Sequence, residues 1–289
     1  MNITPECIGC IFNQALKVSQ VLGLDDKESQ AILNIAAAHV PRFSLDKSPP
    51  TNATPLYQEM ADYLDKKDLY DDIKMRSQES AQKLKPKCEM ILKRSLSPFV
   101  TATKIAVIGN VIDLASPMAY DLDVAVDEVL GNDFAIDDTE ALERRLKDAK
   151  TVVYLADNAG ENIFDAIYID YLKSQFPDLK VYYFLRGAPI INDLTMDDIA
   201  KEDPLRQLST LIDSGVKTPG IVYDKMSKEA QILFDEADCI ISKGMGNYEC
   251  LSTNETHPLF FLLKIKCQVV ATSLNRPLSA IICKENYTK

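Results

Sequence analysis

From residue 5 to about residue 97 the chain repeats apolar residues at three- and four-residue spacing, the period of helices with one buried face. The segments Cys10 to Leu22, Asp26 to Val40, Pro55 to Leu64 and Leu69 to Leu96 carry this pattern, and Gly23, the Pro41 region and Pro49-Pro50 interrupt it where helices would end. From Thr101 the register changes. Short apolar, strand-like runs recur at 105–108, 151–155, 181–185, 220–223, 239–242, 268–271 and 279–283, with helical segments between most of them. Such alternation predicts right-handed βαβ crossovers. The expected fold is α/β: a largely parallel, Rossmann-like sheet flanked by helices over 101–289, preceded by an all-helical N-terminal region over 1–100.

Several of these runs end abruptly in chemistry. Thr151 to Ala156 stops at Asp157-Asn158, followed by Ala159-Gly160-Glu161. In open α/β sheets the ligand crevice lies beyond the carboxyl ends of the strands, so Asp157 and Asn158 would stand at its floor. A carboxylate beside a carboxamide offers hard oxygens, which suit Mg²⁺ or Mn²⁺ better than zinc; the same pair also serves as an Asx turn and helix N-cap. The next run, Lys180 to Leu185, stops at Arg186-Gly187 and reaches Asn192-Asp193. Asp193 can bring a second carboxylate to the crevice and Arg186 a fixed charge for an oxyanion, or the two can pair with each other. Cys239 to Ser242 leads into Lys243-Gly244-Met245-Gly246-Asn247, where an ammonium adjoins glycine-freed backbone N–H groups suited to an anion. Ile105 to Ile108 is read as a fourth strand, ending in Gly109-Asn110.

Gly109-Asn110-x-Ile112-Asp113, Asp157-Asn158-Ala159-Gly160-Glu161, Arg186-Gly187-x-Pro189-Ile190-Ile191-Asn192-Asp193 and Ser242-Lys243-Gly244-x-Gly246-Asn247-Tyr248-Glu249 together resemble the damage-control metallophosphatase family, formerly the domain of unknown function 89. Cys7-Ile8-Gly9-Cys10 and Phe260-Phe261-Leu262-Leu263-Lys264-x-Lys266-Cys267 are similar to its prokaryotic branch. The resemblance spans nearly the whole chain in the expected order. It implies a phosphatase using a divalent metal (Mn, Co, Ni or Mg) held by Asp157, Asn158 and Asp193, with Lys243 on the phosphate of a small phosphorylated metabolite. Asn110, Glu161, Arg186, Gly244, Gly246 and Asn247 complete the candidate site. In the helical region, where relatives commonly carry Asp-Pro-Tyr and later Ser-Asn, this chain reads Asp68-Leu69-Tyr70 and Ser77-Gln78, a departure that bears on substrate rather than metal.

Composition narrows the partners. The 289 residues are 46% hydrophobic, enough for a substantial core, and 32 basic against 43 acidic residues give a net charge of −11. Such acidity disfavours nucleic acid or an anionic membrane as partner. No apolar run has the length of a membrane span, and the first residues lack the pattern of a secretory signal, so a cytoplasmic location is expected. An odd count of seven cysteines points to reduced thiols. Cys239, Cys267 and Cys283 read as packing residues, whereas Cys7 and Cys10 are open to structural, redox or metal use. Of two histidines, His39 reads as structural and His257, a short loop beyond the lysine motif, could approach the crevice.

No Gly-x-Ser-x-Gly elbow or P-loop is present, which disfavours a serine hydrolase or a P-loop kinase. Methyl transfer from S-adenosylmethionine, suggested for eukaryotic relatives, finds no support in the weak Gly109-Asn110 turn. The runner-up to a phosphatase is a regulatory domain that binds a phosphometabolite without turnover. Oligomeric state is not legible.

Overall fold

Capping and proline chemistry delimit the N-terminal helices. α1 (Pro5–Leu22) opens on a proline that needs no N–H partner, and α2 (Asp26–His39) opens on a reciprocal capping box between Asp25 and Glu28. α3 (Pro49–Tyr63) starts with two prolines behind Ser48, whose hydroxyl accepts from the Thr51 N–H; α4 (Asp71–Arg94) follows. Their apolar faces meet in one cluster around Ile11, Ala15, Ile32, Leu56, Tyr57, Met60 and Ile73, which Ile190 joins from the far half of the chain. The structure is a computed structural model that describes residues 1–109 and 122–287.

The remaining elements are α5 (Pro98–Ile108), α6 (Leu122–Gly131), β1 (Ile136–Asp137), α7 (Thr139–Asp148), β2 (Thr151–Leu155), α8 (Glu161–Gln175), β3 (Lys180–Leu185), α9 (Leu205–Leu208) and β4 (Thr210–Asp213). After them come α10 (Lys228–Asp235), β5 (Cys239–Lys243), α11 (Gly244–Leu251), β6 (Leu259–Lys264), α12 (Gln268–Leu274) and β7 (Ile281–Glu285). One seven-stranded sheet runs β1-β7-β6-β5-β2-β3-β4. Strands β6-β5-β2-β3-β4 are mutually parallel; β7 lies antiparallel on β6, and β1 pairs parallel with β7.

Side chains alternate across the sheet with period two. Val152, Tyr154, Val181, Tyr183, Cys239 and Ile241 face a core completed by α5, α7 and α8. Val153, Leu155, Phe184, Ile240 and Phe261 face a second core completed by α10, α11 and α12. A sheet covered on both faces explains why its strands read as continuous apolar runs.

Three expected strands are not strands. Residues 105–108 are the buried last turn of α5, because a short fully apolar run does not separate a buried strand from a buried helix. Residues 268–271 open α12, whose first turn is capped by Cys267. Around 220–223 there is only a 3₁₀ turn, Tyr223–Lys225. Conversely β1, β4 and β6 were not among the expected runs. Of the turn read at Gly109-Asn110, Gly109 caps the end of α5, and Asn110, Ile112 and Asp113 lie outside the described residues.

This topology fixes where a site can form. From β2 the chain steps to β3 and β4 on one side, then returns to place β5 and β6 on the other. The order therefore reverses at β2, and the crevice of such a sheet opens at the carboxyl ends flanking the reversal. Asp157 follows β2 there, Arg186 follows β3, and Lys243 ends β5.

Candidate active site

Two loops are zipped together at the end of β2. Asn158 and Asp193 form an antiparallel bridge, the Leu194 N–H donates to the Asp157 carbonyl at 2.8 Å, and the Ala159 N–H to the Asn192 carbonyl at 2.9 Å. The pairing brings Asp157, Asn158 and Asp193 to one spot. Ile191, two residues before Asp193, is held at φ 46°, a left-handed backbone that a β-branched residue resists, so the surrounding packing fixes this loop against local preference. A third tie comes from α4. Lys74, 1% exposed, pairs with Asp68 at 2.8 Å and Asp198 at 3.1 Å, and Asp198 accepts from the Thr195 N–H. Gln78 donates to the Asp198 carbonyl.

Behind the surface lies a buried charge network. The Arg186 Nε donates to Asp193 Oδ2 at 2.7 Å and Nη2 to Asn247 Oδ1 at 3.1 Å, while Nη1 has no partner among the described residues. The mutual ion pair left open for Arg186 and Asp193 is what forms. Lys243 is fully buried between Glu161 at 2.9 Å and Asp165 at 2.7 Å; Asp165 also accepts from the hydroxyls of Tyr154 and Tyr183. The Asn158 amide donates to Asp157 at 3.0 Å and to Glu161 at 3.1 Å, which leaves its carbonyl oxygen as the atom it offers a cation. Asn247 is a tie rather than a contact surface: its amide donates to the Ala156 and Lys243 carbonyls, and its oxygen accepts from the Ile221 N–H.

Glycine is required at two joints. Gly244 sits at φ 79°, and a Cβ there would run into the Asp157 carboxylate. Gly160, at φ 94°, lies so close to α4 that a Cβ would stand 2.9 Å from the Ser77 carbonyl oxygen.

The electrostatics are unbalanced toward acid. Four buried carboxylates, Asp157, Glu161, Asp165 and Asp193, meet two buried cations, Lys243 and Arg186. Burial, with Glu161 and Asp193 beside it, pushes the Asp157 carboxyl well above the usual range, and Arg186 and Lys266 offset this only in part. Burial raises Asp193 too; Arg186 pulls it back, to about 6. For Lys243 burial works against the charge, but Asp165 and Glu161 outweigh it and the ammonium is held above its ordinary value. A surplus of two carboxylates in a low-dielectric site calls for a divalent cation or for protons. The donors facing outward, two carboxylates and a carboxamide, are hard oxygens and fit such an ion. Among the described residues no three His, Cys, Asp or Glu side chains form a metal-holding group, so Asn158 is needed to complete the set.

These groups open into a cleft of about 360 Å³. Asp157, Asn158, Asp193, Gly246 and Lys266 line its floor, and α1 and α3 form the opposite wall. Of the residues read from sequence, Glu161, Arg186, Lys243, Gly244 and Asn247 stand behind the floor rather than on it. His257 is elsewhere, against Phe234 and Asp235, and His39 pairs with Glu59. Cys7, Cys10 and Cys267 are free thiols on the cleft wall. Sequence reasoning missed three participants. Lys266 follows β6, so its Lys-x-Lys-Cys motif marked a strand end. Asp165 lies four residues after Glu161, the spacing of one helix face. Lys74 gave no signal, since a buried lysine looks like any other in sequence.

A doubly covered α/β sheet with a buried acidic site at its switch point defines a class of small-molecule-binding proteins. Comparison narrows it: residues 3–282 match the damage-control phosphatase ARMT1-like domain, and the chain belongs to that family. It is 33% identical to the damage-control phosphatase PH1575 of Pyrococcus horikoshii over the full length of both, and 30% identical to a damage-control phosphatase of Archaeoglobus fulgidus, covering 98% and 99%. The crystal structure of the Pyrococcus protein, described as a DUF89 family member, aligns with a TM-score of 0.89 and 99% coverage of each chain.

Proposed function

We propose that this protein is a metal-dependent phosphatase that hydrolyses small phosphorylated metabolites in metabolite damage control. The observation that carries the reading is the surplus of buried carboxylate at Asp157 and Asp193, with the Asn158 carboxamide beside them, on the floor of a cleft that Lys266 also lines. Asp157, Asn158 and Asp193 would hold Mn²⁺, Co²⁺, Ni²⁺ or Mg²⁺. When bound, such an ion neutralises phosphoryl oxygens as charge redistributes. Arg186 orients Asp193, and Glu161 orients the Asn158 amide. Lys266, with the backbone around Met245 and Gly246 at the start of α11, would supply positive potential to the phosphate beside these ligands. Tyr70 and the α1–α3 wall exclude water from the body of the substrate. The Cys7-x-x-Cys10 pair at the start of α1, together with archaeal relatives, supports placement in the prokaryotic branch.

The test is release of inorganic phosphate by metal-stripped protein from a panel of sugar phosphates, nucleotides and phosphopantetheine, with each metal restored singly. Turnover that returns with one or more of these ions is expected. Binding of the panel with no release under any metal would replace the phosphatase by a binding module.

A further inference from the structure

Glu249 closes the motif that begins at Ser242 and Lys243, and no role given to the site so far uses it. It lies on the face of α11 that lines the cleft, one helical turn beyond Met245, and so about 6 Å along that wall from the backbone at the start of the helix. The side chain is half-buried, and among the described residues its carboxylate has no hydrogen bond and no ion pair. The Met1 amino group offsets the burial only in part, and it donates to the Glu249 backbone carbonyl and to Ser252 Oγ rather than to the carboxylate. Burial without a partner holds this carboxyl up at about 7, so its charge is a cost to the fold. Departures of this kind concentrate where a ligand restores the balance.

The other charges of the cleft leave that cost standing. Asp157 and Asp193 belong to the floor and Lys266 to the phosphate end. On α1, Glu6 is exposed and Lys17 half-buried; they oppose each other in sign, and water screens them. Glu249 is thus the shielded charge beside the space a bound ester would fill beyond its phosphate. We infer that Glu249 receives a cationic group on the alcohol part of the substrate, so that the site prefers phosphomonoesters of amino alcohols, with the ammonium a few carbons from the phosphate, over esters with a neutral or acidic body. The inference rests on the phosphatase reading above and names the substrate class of that site. An ammonium gives the carboxylate the charge-assisted hydrogen bond that the protein withholds. A carboxylate on the body would instead set like charges together.

The experiment measures calorimetric binding of phosphonates, whose carbon–phosphorus bond keeps turnover out of the reading, to metal-loaded protein. 2-Aminoethyl-, 3-aminopropyl- and 4-aminobutylphosphonate are each compared with the alkylphosphonate and the phosphonocarboxylate of matching length, at about pH 8.5, where Glu249 and the ammonium are both charged. For at least one length the amino compound is expected to bind about tenfold tighter than its alkyl counterpart and the acid more weakly than either. Glu249→Gln, which removes a buried charge and so keeps the fold, should bring amino and alkyl compounds within about threefold of each other. Equal affinity of the two at every length, tighter binding of the acids, a preference that survives in Glu249→Gln, or no binding at all would overturn the inference. Release of phosphate from 2-aminoethyl phosphate and ethyl phosphate is measured alongside, and the same preference is expected in kcat/KM, carried by KM. Release from neither ester with the phosphonate order intact would overturn the phosphatase while upholding the recognition of a cation by Glu249.

Discussion

The ammonium of Lys243 lies 2.9 Å from Glu161 Oε2, and Glu161 in turn accepts from the amide of Asn158, so a fully buried lysine is linked through one carboxylate to an outward-facing carboxamide. The lysine therefore acts on the cleft from behind. Its two carboxylates already satisfy its charge, and of the two lysines it is Lys266, not Lys243, that lines the cleft.

Lys243→Met should destabilise the protein by about 3–5 kcal/mol, because it strands Glu161 and Asp165 as unpaired buried charges. It should also weaken divalent-metal binding as Glu161 loses its anchor. Chemical denaturation and calorimetric metal titration read the two effects; wild-type values in both would show that the network does not support the site.

Gly244→Ala should abolish metal binding and cost at least about 1–3 kcal/mol, since it adds a Cβ at φ 79° directly against the Asp157 carboxylate. Gly9→Ala, at a helical position with nothing within 4 Å of the added carbon, is the control and should be neutral or slightly stabilising. Metal affinity and melting temperature of the pair separate a local clash from a general loss of fold.

Much of this site was legible because its residues lie at strand ends. Thr151 to Leu155 and Lys180 to Leu185 are β-branched or aromatic runs that end in Asp, Asn, Arg and Gly, and the sheet places those ends together. What failed were the runs without such a signature: Ile105 to Ile108 and Gln268 to Ala271 are apolar and short, and tertiary packing made them helical. Depth was the other blind spot. Sequence marks Lys243 as a lysine before two glycines, but only packing of α8 across β5 shows that Glu161 and Asp165 reach it first.

Glu249, on α11 at the edge of the cleft, makes stability depend on pH. Burial raises its carboxyl from 4.5 to about 7, with the amino terminus of Met1 opposing the shift and Cys250 and Cys267 the other titratable groups nearby. A raised carboxyl is protonated in the fold and ionised in the unfolded chain between these values, so stability falls as pH rises from about 4.5 to 7 and the penalty is complete above that. Glu249→Gln should remove this slope, gaining about 3 kcal/mol at pH 8 and little near pH 4.5. Denaturation curves of both proteins across that window make the check; parallel curves would contradict it.

Cys7→Ser combined with Cys10→Ser should leave turnover within a few-fold of wild type under reducing conditions, although both side chains line the cleft. No step assigned to this site uses a thiolate, and hard oxygens suit the proposed ions. Steady-state kinetics with metal analysis of the double variant decides it: an inactive, folded, metal-replete variant would make the thiols part of the chemistry.

The most direct measurement is the anomalous scattering of Mn²⁺ in crystals of the metal-stripped protein soaked with that ion. One strong peak is expected at the end of β2, within about 2.0–2.3 Å of carboxylate oxygens of Asp157 and Asp193 and of the Asn158 carbonyl oxygen, and absent in Asp157→Ala. A peak held by Cys7 and Cys10, or full occupancy in the absence of Asp157, would contradict it.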